Sequence, residues 1–308
     1  MRKMDREKKK LRFDGGLQKD EKLIVNLRNN PNYQIWRRLC RNKISVVCMV
    51  VLVVMILAAI FADFIRPKEM VYAQNAMEAC LRPSWDHPFG TDCFGRDLFT
   101  RVLYGSRISF MVGFTVTIIS TVIGSVLGGL VAYYGGTFEE IVMRITDMFM
   151  AIPEQLLAIC VVASFGANAV SMIVALSIAV IPVRTRLMRS TVLSIIDAEY
   201  VEAARACGMS DFKIIVTEIM PNAIGPTIIN CTQGLASIIL TASSLSYLGV
   251  GIQPPTPEWG AIISEAKEFL RLAPYYCILP GVVMVIMSLS FNLLGDGLRD
   301  AMDPRLKD

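Results

Sequence analysis

The chain has 308 residues, of which 54% are apolar and 19% are charged, and its formal net charge is +4. Soluble domains are typically ~45–50% apolar and ~25% charged. The excess of apolar residues excludes a disordered chain, a collagen and a small disulfide scaffold, and it argues against an ordinary cytosolic enzyme.

The N-terminal residues 1–43 form a basic arm. They contain 14 Lys and Arg residues against 5 Asp and Glu residues, a net charge of +9. Because basic residues collect at the cytoplasmic ends of membrane spans, we expect this arm to lie in the cytoplasm. It could contact anionic lipid headgroups, or it could be a solvated tail that only follows the charge bias.

Five long runs without Asp, Glu, Lys or Arg follow the arm, and each is near or above the ~18–20 residues that cross a bilayer. The third run has a weak break at 165–168, and a nearly uncharged stretch precedes it. We therefore take 141–183 together and divide it into two helices, about 142–164 and 169–188. The sequence thus predicts an all-α integral membrane protein with six transmembrane helices and both termini in the cytoplasm. The runs are 44–62, 108–138, 155–183, 219–257 and 272–295.

These spans divide the chain into five predicted regions. They are the cytoplasmic arm at 1–43, the first transmembrane helix at 44–64, an extracytoplasmic segment at 65–106, a five-helix core domain at 107–298 and a cytoplasmic tail at 299–308. The core domain includes a polar segment at 189–222 on the predicted inner side. Arg96, Arg101 and Arg107 on the predicted outer side oppose this orientation, but the bias of the arm is larger.

Several chemical motifs are absent from the sequence. It contains no Gly-Lys pair and therefore no phosphate loop of the form G-x-x-x-x-G-K-[ST], so another chain must bind ATP if ATP is used. His87 is the only histidine, and we interpret it as structural rather than as a metal ligand. Cys80 and Cys93 share the outer segment and could form a disulfide, although spacing alone does not establish one. Arg144 and Asp147 are expected to neutralise each other within one helix.

The polar segment at 189–222 has clear helix signals. Asp197 is a candidate N-cap for a helix that runs to Cys207. Gly208 can adopt the left-handed conformation that ends such a helix. A second short helix at 211–219 follows. The segment thus predicts two short helices, joined by a tight turn, that project from the membrane.

The residue types in this segment are suited to contact with another protein. Ala203 and Ala204 are small and allow close approach, while Glu202 can present a charge at the contact. Pro221 either stops the second helix or begins the next span at its first turn. An amphipathic loop that lies on the membrane is the alternative. The run from Glu202 through Gly208 to Pro221 resembles the EAA loop of ABC importer permeases.

Further motifs resemble the dipeptide/oligopeptide (peptide/nickel) permeases, and in particular their "C" partner. The resemblance covers about residues 30–308. Glu218 departs from it, since the general pattern has an aliphatic residue there. The motifs are His87-Pro-Phe-Gly-Thr-Asp92, Glu199-Tyr-Val-Glu-Ala-Ala-Arg205, Leu248-Gly-Val-Gly-Ile-Gln-Pro-Pro-Thr-Pro257 with Trp259-Gly260, Phe291-Asn-Leu-Leu-Gly-Asp-Gly-Leu-Arg-Asp300 and Asp303-Pro-Arg-Leu306.

The resemblance implies the type I ABC importer permease fold and an assembly in a prokaryotic inner membrane. It implies a second homologous permease, two ATP-binding subunits that hold ATP and Mg, and an extracytoplasmic substrate-binding protein. It implies no cofactor or metal in this chain, no enzyme activity and no nucleic-acid partner. The expected contacts to the ATP-binding subunits are Glu199, Glu202, Ala203, Ala204, Gly208 and Pro221.

The resemblance also implies a cargo of dipeptides or oligopeptides, with nickel complexes or another small solute as the alternative. A stand-alone channel or carrier is a remote alternative, because intramembrane ionisable residues are few. An integral membrane enzyme is more remote still, because the chain has one histidine and no metal motif.

Two further groups of residues are candidates for contact with the cargo or the binding protein. Ser243, Ser244 and Tyr247 on the fifth span could line a polar path, although serine in a membrane helix often bonds its own backbone. Trp85, Pro254, Pro255 and Trp259 are expected to face the binding protein, and for Trp259 a membrane-surface anchor is equally open. The small face Gly124–Gly128 is expected to pack within this chain rather than against the partner permease.

Overall fold

The computed structural model describes residues 31–303. Residues 1–30 of the predicted arm and 304–308 of the predicted tail lie outside this range. The described part is helical, with one isolated β-bridge between Thr91 and Asp97 as its only extended pairing. The α-helices are α1 Pro31–Arg41, α2 Lys43–Ile60, α3 Ala62–Ile65, α4 Leu98–Tyr134, α5 Gly136–Met150, α6 Glu154–Phe165, α7 Ala169–Leu193, α8 Glu199–Ala206, α9 Asp211–Ile214, α10 Met220–Tyr247, α11 Trp259–Ala266 and α12 Pro274–Met302.

Five helices of the described range are long and apolar enough to cross a membrane, and a bent pair supplies the sixth candidate. The five are α2, α4, α7, α12 and the continuous run of α9 and α10. The bent pair is α5 and α6, whose axes differ by 86°. The predicted single helix at 142–164 is therefore wrong. Pro153 supplies no backbone N–H and disfavours a helical residue before it, so the helix ends at Met150 and restarts at Glu154.

Helix α4 begins ten residues before the charge-free run that predicted it. Asp97 is its N-cap and accepts a hydrogen bond from the Thr100 amide at 2.8 Å. The first turns of α4 carry Arg101 and Arg107, which hydropathy alone placed outside the span. Helix length and hydrophobic length therefore differ here, because a helix can continue beyond the apolar run that it contains.

The core forms where α4 packs along α7. A Cβ added to Gly124 would lie 2.5 Å from the Cβ of Arg184, and one added to Gly128 would meet the Thr185 carbonyl and the Met188 side chain. The Gly124–Gly128 face thus packs within the chain, as predicted. Small residues are required there because two helix backbones approach each other closely.

The bundle has two ends. The EAA end carries residues 195–219, whose buried side chains Val201, Ile214 and Ile219 pack with the last turns of α4 and α7. The disulfide end carries residues 66–97 and 248–273, including the disulfide between Cys80 and Cys93. The two ends are the places where chain segments leave the helix bundle.

Helix α1 was not predicted, because the arm was treated as one polar stretch. Its residue Leu39 is buried, and the Arg38 guanidinium donates to the Asp303 carbonyl oxygen at 3.3 Å. Asn42 then caps α2, since its side-chain oxygen accepts from the Ile44 amide at 3.0 Å. After Lys43 at its first position, the outer face of α2 exposes only large apolar side chains of the kind that faces lipid, namely Ile44, Val47, Val50, Val53, Val54, Leu57 and Ile60.

Candidate functional site

Helix α8 contains the Glu-Ala-Ala sequence and starts at Glu199. Its N-cap is Ala198, which has no capping side chain, so the predicted cap at Asp197 is wrong. The preceding backbone explains the difference, because the Ala198 amide already bonds the Ile195 carbonyl in a tight turn at 3.1 Å. The turn fixes where the helix starts, and the exposed Asp197 lies one residue too early to cap it.

Gly208 ends this helix in the left-handed conformation, with φ of +76°, as predicted. Its amide donates to the Arg205 carbonyl at 2.9 Å, and the Met209 amide donates to the Ala204 carbonyl at 3.1 Å. A Cβ at Gly208 would meet no atom within 4 Å. Glycine is thus needed here for its backbone conformation and not for space within the chain.

The predicted coupling residues divide by burial. Ala204 is buried with Val201 against Ile214 and Ile219, so it fixes α8 to the bundle rather than lying on the surface. A large aromatic residue that the sequence reasoning missed, Phe212, is 76% exposed beside them. The remaining predicted residues are exposed, namely Glu199, Glu202, Ala203, Gly208 and Pro221.

The predicted separate helix at 211–219 is instead the start of the fifth span. Four α-helical residues, Asp211–Ile214, lead into a π-helical turn, Ile215–Ile219, and then directly into α10. Pro221 lies in the first turn of α10, where its missing N–H costs nothing, so the second of the two predicted roles is the observed one. Any displacement of 211–219 is therefore carried along α10 without an intervening loop.

Tyr133 links both parts of the EAA segment, residues 199–221, to the end of α4. Its hydroxyl donates to the Asp211 carboxylate at 2.6 Å, and the Arg205 guanidinium lies 5.4 Å from the centre of its ring. Sequence reasoning missed this residue. The available signal was an amphipathic aromatic side chain at the end of an apolar run, which suits it to bridge packed and polar surroundings.

Ser243, Ser244 and Tyr247 contribute to one cavity of about 460 Å³ near the disulfide end. Gln155 of α6 and Met284 of α12 complete its wall. The structure thus brings the three predicted path residues together. The cavity is bounded in part by the first turn after the α5–α6 break.

The hydroxyls of the two serines are already engaged. Ser243 is buried and donates to Glu258 at 2.7 Å, and Ser109 donates to the same carboxylate at 3.2 Å. Ser244 is exposed but donates to the Leu240 carbonyl of its own helix at 2.8 Å, as in the alternative reading of the sequence. Glu258 also caps α11 through the Ala261 amide at 3.0 Å. This buried carboxylate was not predicted.

A buried ion cluster holds the disulfide end together. Asp92 accepts from Arg96 at 2.5 Å and from Arg101 at 2.8 Å. Glu265 pairs with Arg96 at 3.0 Å and with Arg101 at 2.6 Å. Burial lowers the pKa of Arg96, but the Asp92 and Glu265 carboxylates outweigh it and hold that pKa above its ordinary value. Two of the outer arginines that opposed the predicted orientation are thus neutralised in this cluster, and the third, Arg107, pairs with Asp63 at 2.8 Å.

The remaining motif residues of this end are also structural. His87 Nδ1 lies 2.8 Å from the Asp97 carboxylate, in agreement with its interpretation as a structural residue. The Cys80 and Cys93 Cα atoms lie 4.7 Å apart, and the two residues form the disulfide that their spacing left open. The disulfide and the ion cluster together fix 80–101 on α11 and α12.

Trp259 does not face outward, and both of its predicted roles are wrong. It is fully buried, its indole N–H donates to the Val102 carbonyl at 3.1 Å, and its ring packs 5.6 Å from that of Phe110. Trp259 begins α11, which folds back onto α4, so its ring enters the core. Trp85, Pro254 and Pro255 are exposed, and Trp85 is fully so.

The expected pairing of Arg144 with Asp147 is also wrong. Asp147 pairs instead with Arg186 of the neighbouring α7. The cross-helix partner follows from the packing of α5 beside α7, which no spacing within α5 reveals. Glu139 pairs with Arg189 in the same way.

The described part of the chain has five candidate membrane spans and a bent sixth. Its EAA segment is continuous with one span, and its opposite end is closed by a disulfide and a buried ion cluster. These features together indicate a membrane transport component. The chain belongs to the family described as the binding-protein-dependent transport system inner membrane component, which matches residues 99–308. Residues 31–83 match the N-terminal transmembrane domain of oligopeptide transport permease C.

Curated relatives resemble the chain over almost its whole length. It is 39% identical over 279 residues to the dipeptide transport system permease protein DppC of Alkalihalophilus pseudofirmus, covering 90% of this chain and 91% of that protein. It is 40% identical over 274 residues to a putative peptide transport system permease protein of Brucella abortus, covering 88% and 91%. It is 39% identical over 277 residues to the glutathione transport system permease protein GsiD of Escherichia coli, covering 90% and 91%.

Solved structures share the fold at low identity. A chain of the inward-facing MetNI methionine ABC transporter aligns with a TM-score of 0.58 at 19% identity, covering 67% of this chain and 98% of that chain. A chain of an amino acid ABC transporter aligns with a TM-score of 0.52 at 15% identity, covering 64% and 92%. The type I permease fold expected from the sequence is thereby confirmed.

Proposed function

We propose that this chain is one of two permease subunits in an ATP-driven importer of dipeptides or oligopeptides. The observation that carries the proposal is the continuity of the exposed EAA segment with α10, because it gives a direct mechanical route from a docking surface to a membrane span. The relatives named for dipeptide, peptide and glutathione transport support the cargo.

The EAA segment is the proposed contact for one of the two ATP-binding subunits, which would hold ATP and Mg. Glu199, Glu202 and Ala203 present an acidic, small-residue surface, and Phe212 adds an exposed apolar side chain. Since apolar area removed from water is worth ~25 cal/mol per Å², an exposed aromatic ring can anchor such a contact. Closure of the ATP-binding subunits would then move 211–219 and α10 as one body.

The net charge of +9 on the arm at 1–43 supports placing the EAA end in the cytoplasm. The basic arm at 1–43 precedes α2, whose first residue, Lys43, lies at the EAA end because Gly297 of α12 packs on Ser45 there. The disulfide end would then face the oxidising side of the membrane, where a disulfide persists. Trp85, Pro254 and Pro255 remain the proposed contacts for the extracytoplasmic binding protein.

One face of α10 supports a translocation path shared with a second permease. Residues three or four apart share a helix face, and this face is fully or partly exposed along the helix. The contrast with α2 is direct, since the exposed face of α2 is apolar from Ile44 to Ile60. A polar face in a membrane span requires water or a polar partner. Its residues are Asn230, Gln233, Ser237, Leu240, Ser244 and Tyr247.

Reconstitution tests the proposal. The chain with its partner permease, both ATP-binding subunits and the binding protein is placed in liposomes, and uptake of radiolabelled alanyl-alanine is measured. We expect uptake only with both ATP and the binding protein present. Uptake by this chain alone without ATP would instead support a stand-alone channel or carrier.

A matched pair of charge reversals tests the coupling surface. Glu202→Lys changes an exposed residue of the EAA segment, and Glu140→Lys makes the same change on exposed α5 outside it. We expect only Glu202→Lys to reduce uptake and co-purification of the ATP-binding subunits. Equal effects of both variants would contradict the assigned surface.

The cargo has its own test. Native mass spectrometry of the cognate binding protein, expressed without added ligand, should show a bound peptide of two to five residues, an expectation from the resemblance. A bound nickel chelate or other small solute would overturn the peptide cargo and leave the permease role intact.

A further inference from the structure

The polar face of α10 meets α12 in a cluster of three side chains. The Gln233 amide nitrogen donates to Asp296 at 2.9 Å, and the Arg299 guanidinium donates to the Gln233 oxygen at 3.4 Å. Gly295 makes the approach possible, because a Cβ at that position would overlap the Gln233 side chain. One neutral amide thus holds a carboxylate and a guanidinium side by side.

The two charges are held but not neutralised. Asp296 and Arg299 form no ion pair with any residue of 31–303, and both are exposed. Other charged pairs of the bundle behave differently, since Asp147 pairs directly with Arg186 and Glu139 with Arg189. A cation site and an anion site are therefore both open on one surface.

The placement of the cluster connects it to the cavity. Gln233, Ser237 and Ser244 lie on one face of α10, which Tyr247 continues to the cavity at the disulfide end. Asp296 and Arg299 are three residues apart and share a face of α12, with Cβ atoms ~5–6 Å apart. A molecule that leaves the cavity along the polar face meets this cluster next, towards the EAA end.

A short peptide matches this arrangement. At neutral pH it carries an α-ammonium at one end and a carboxylate at the other, and an extended dipeptide spans at most ~7 Å at ~3.3–3.6 Å per residue. We propose that Asp296 and Arg299, aligned by Gln233, form a subsite that receives the ammonium and carboxylate ends of a zwitterionic peptide in transit. This inference rests on the proposed peptide importer function.

Photo-crosslinking during turnover tests the subsite. The complete complex in liposomes is illuminated while it imports alanyl-photoleucine, a dipeptide with a diazirine side chain, and crosslinked residues are mapped by mass spectrometry. We expect crosslinks within 230–237 and 292–299 of this chain. Crosslinks confined to other segments or to the partner permease would overturn the subsite.

Charge variants add a second readout. We expect Asp296→Asn and Arg299→Gln each to lower initial uptake at low peptide concentration about tenfold, the effect of losing one charge-assisted hydrogen bond. Arg299→Lys keeps the charge and should recover most of the uptake. Glu140→Gln is the control, because it also removes one exposed carboxylate but lies on α5, away from this face of α12.

The outcomes separate the subsite from the importer function. If the wild-type complex imports no alanyl dipeptide, the proposed cargo fails. If it imports the dipeptide and Glu140→Gln is as impaired as Asp296→Asn, the subsite fails and the importer function stands. Binding-protein-stimulated ATPase activity shows whether a variant complex is assembled. For any variant that is not assembled, the wild-type crosslink map decides.

Discussion

Substitution of Gly208 separates a backbone requirement from a contact requirement at the turn between α8 and α9. The residue has φ of +76°, and a side chain there would meet no atom of the chain within 4 Å. Alanine in the left-handed region costs about 1–2 kcal/mol, whereas asparagine visits this region more readily. If the backbone conformation is what matters, Gly208→Asn should retain more function than Gly208→Ala although asparagine is larger.

The expected magnitude follows from the same strain. A penalty of about 1–2 kcal/mol lowers the population of the native turn relative to alternatives by a factor of about 5–30. We expect the affinity of the ATP-binding subunits for the Gly208→Ala complex to fall by up to this factor, measured by titration in detergent together with alanyl-alanine uptake. Gly249→Ala is the control, because Gly249 has φ of +84° and similarly open surroundings at the opposite end.

The relative losses of function in Gly208→Ala and Gly208→Asn distinguish the backbone explanation from a contact explanation. If the ATP-binding subunits have no room for any side chain at Gly208, losses will increase with size and asparagine will be worse than alanine. That order would refute the backbone explanation and place Gly208 in the interface itself. A Gly249→Ala complex with equally weak binding of the ATP-binding subunits would show that general strain, and not the EAA segment, causes the loss.

Three further predictions concern side chains that fix the two ends. Tyr133→Phe removes the hydrogen bond to Asp211 but keeps the ring. We expect the EAA segment to be held to α4 about 0.5–1 kcal/mol more weakly, and more ATP to be hydrolysed per peptide imported. An unchanged ratio of ATP to peptide would contradict the link. Asp92→Asn removes the carboxylate that pairs with the buried Arg96 and Arg101. It should lower the free energy of unfolding of the purified complex by about 3 kcal/mol, measured by thermal unfolding. Asp86→Asn, at an exposed position, is the control and should have little effect. Trp259→Phe removes the indole hydrogen bond to the Val102 carbonyl and puts a smaller ring in the core, so it should cost about 1–3 kcal/mol in the same assay. Lost response to the binding protein at unchanged stability would instead make Trp259 a contact for that protein.

Hydropathy located the spans because desolvation of charge dominates every other local preference in a bilayer. The charge-free runs recovered α2, α4, α7, α10 and α12, although α4 extends beyond its run at Leu98. The break between α5 and α6 was missed because the nearly uncharged stretch before Pro153 and the charge-free run from 155 were joined into one helix. Hydropathy measures burial in lipid and not the direction of the chain.

Side-chain partners were harder to predict than elements. Asp147 has a same-helix candidate three residues away, yet its partner lies on α7. Tryptophan is a residue type that often anchors proteins at the membrane surface. At Trp259, however, the turn before α11 directs the side chain into the core. The left-handed conformation of Gly208 was predicted correctly because it is a local backbone property. Partner choice depends instead on how helices pack, which one sequence does not show.

The sharp bend between α5 and α6 has a consequence for the lone subunit. The first amides of α6 have no acceptor within their own helix, and 151–156 is exposed on the chain as it stands. Hydrocarbon offers no hydrogen bonds, so each bare amide there would cost several kcal/mol. The isolated chain therefore does not satisfy all of its own backbone hydrogen bonds in a bilayer. Water or another subunit must supply acceptors at this bend for the chain to be stable in the membrane.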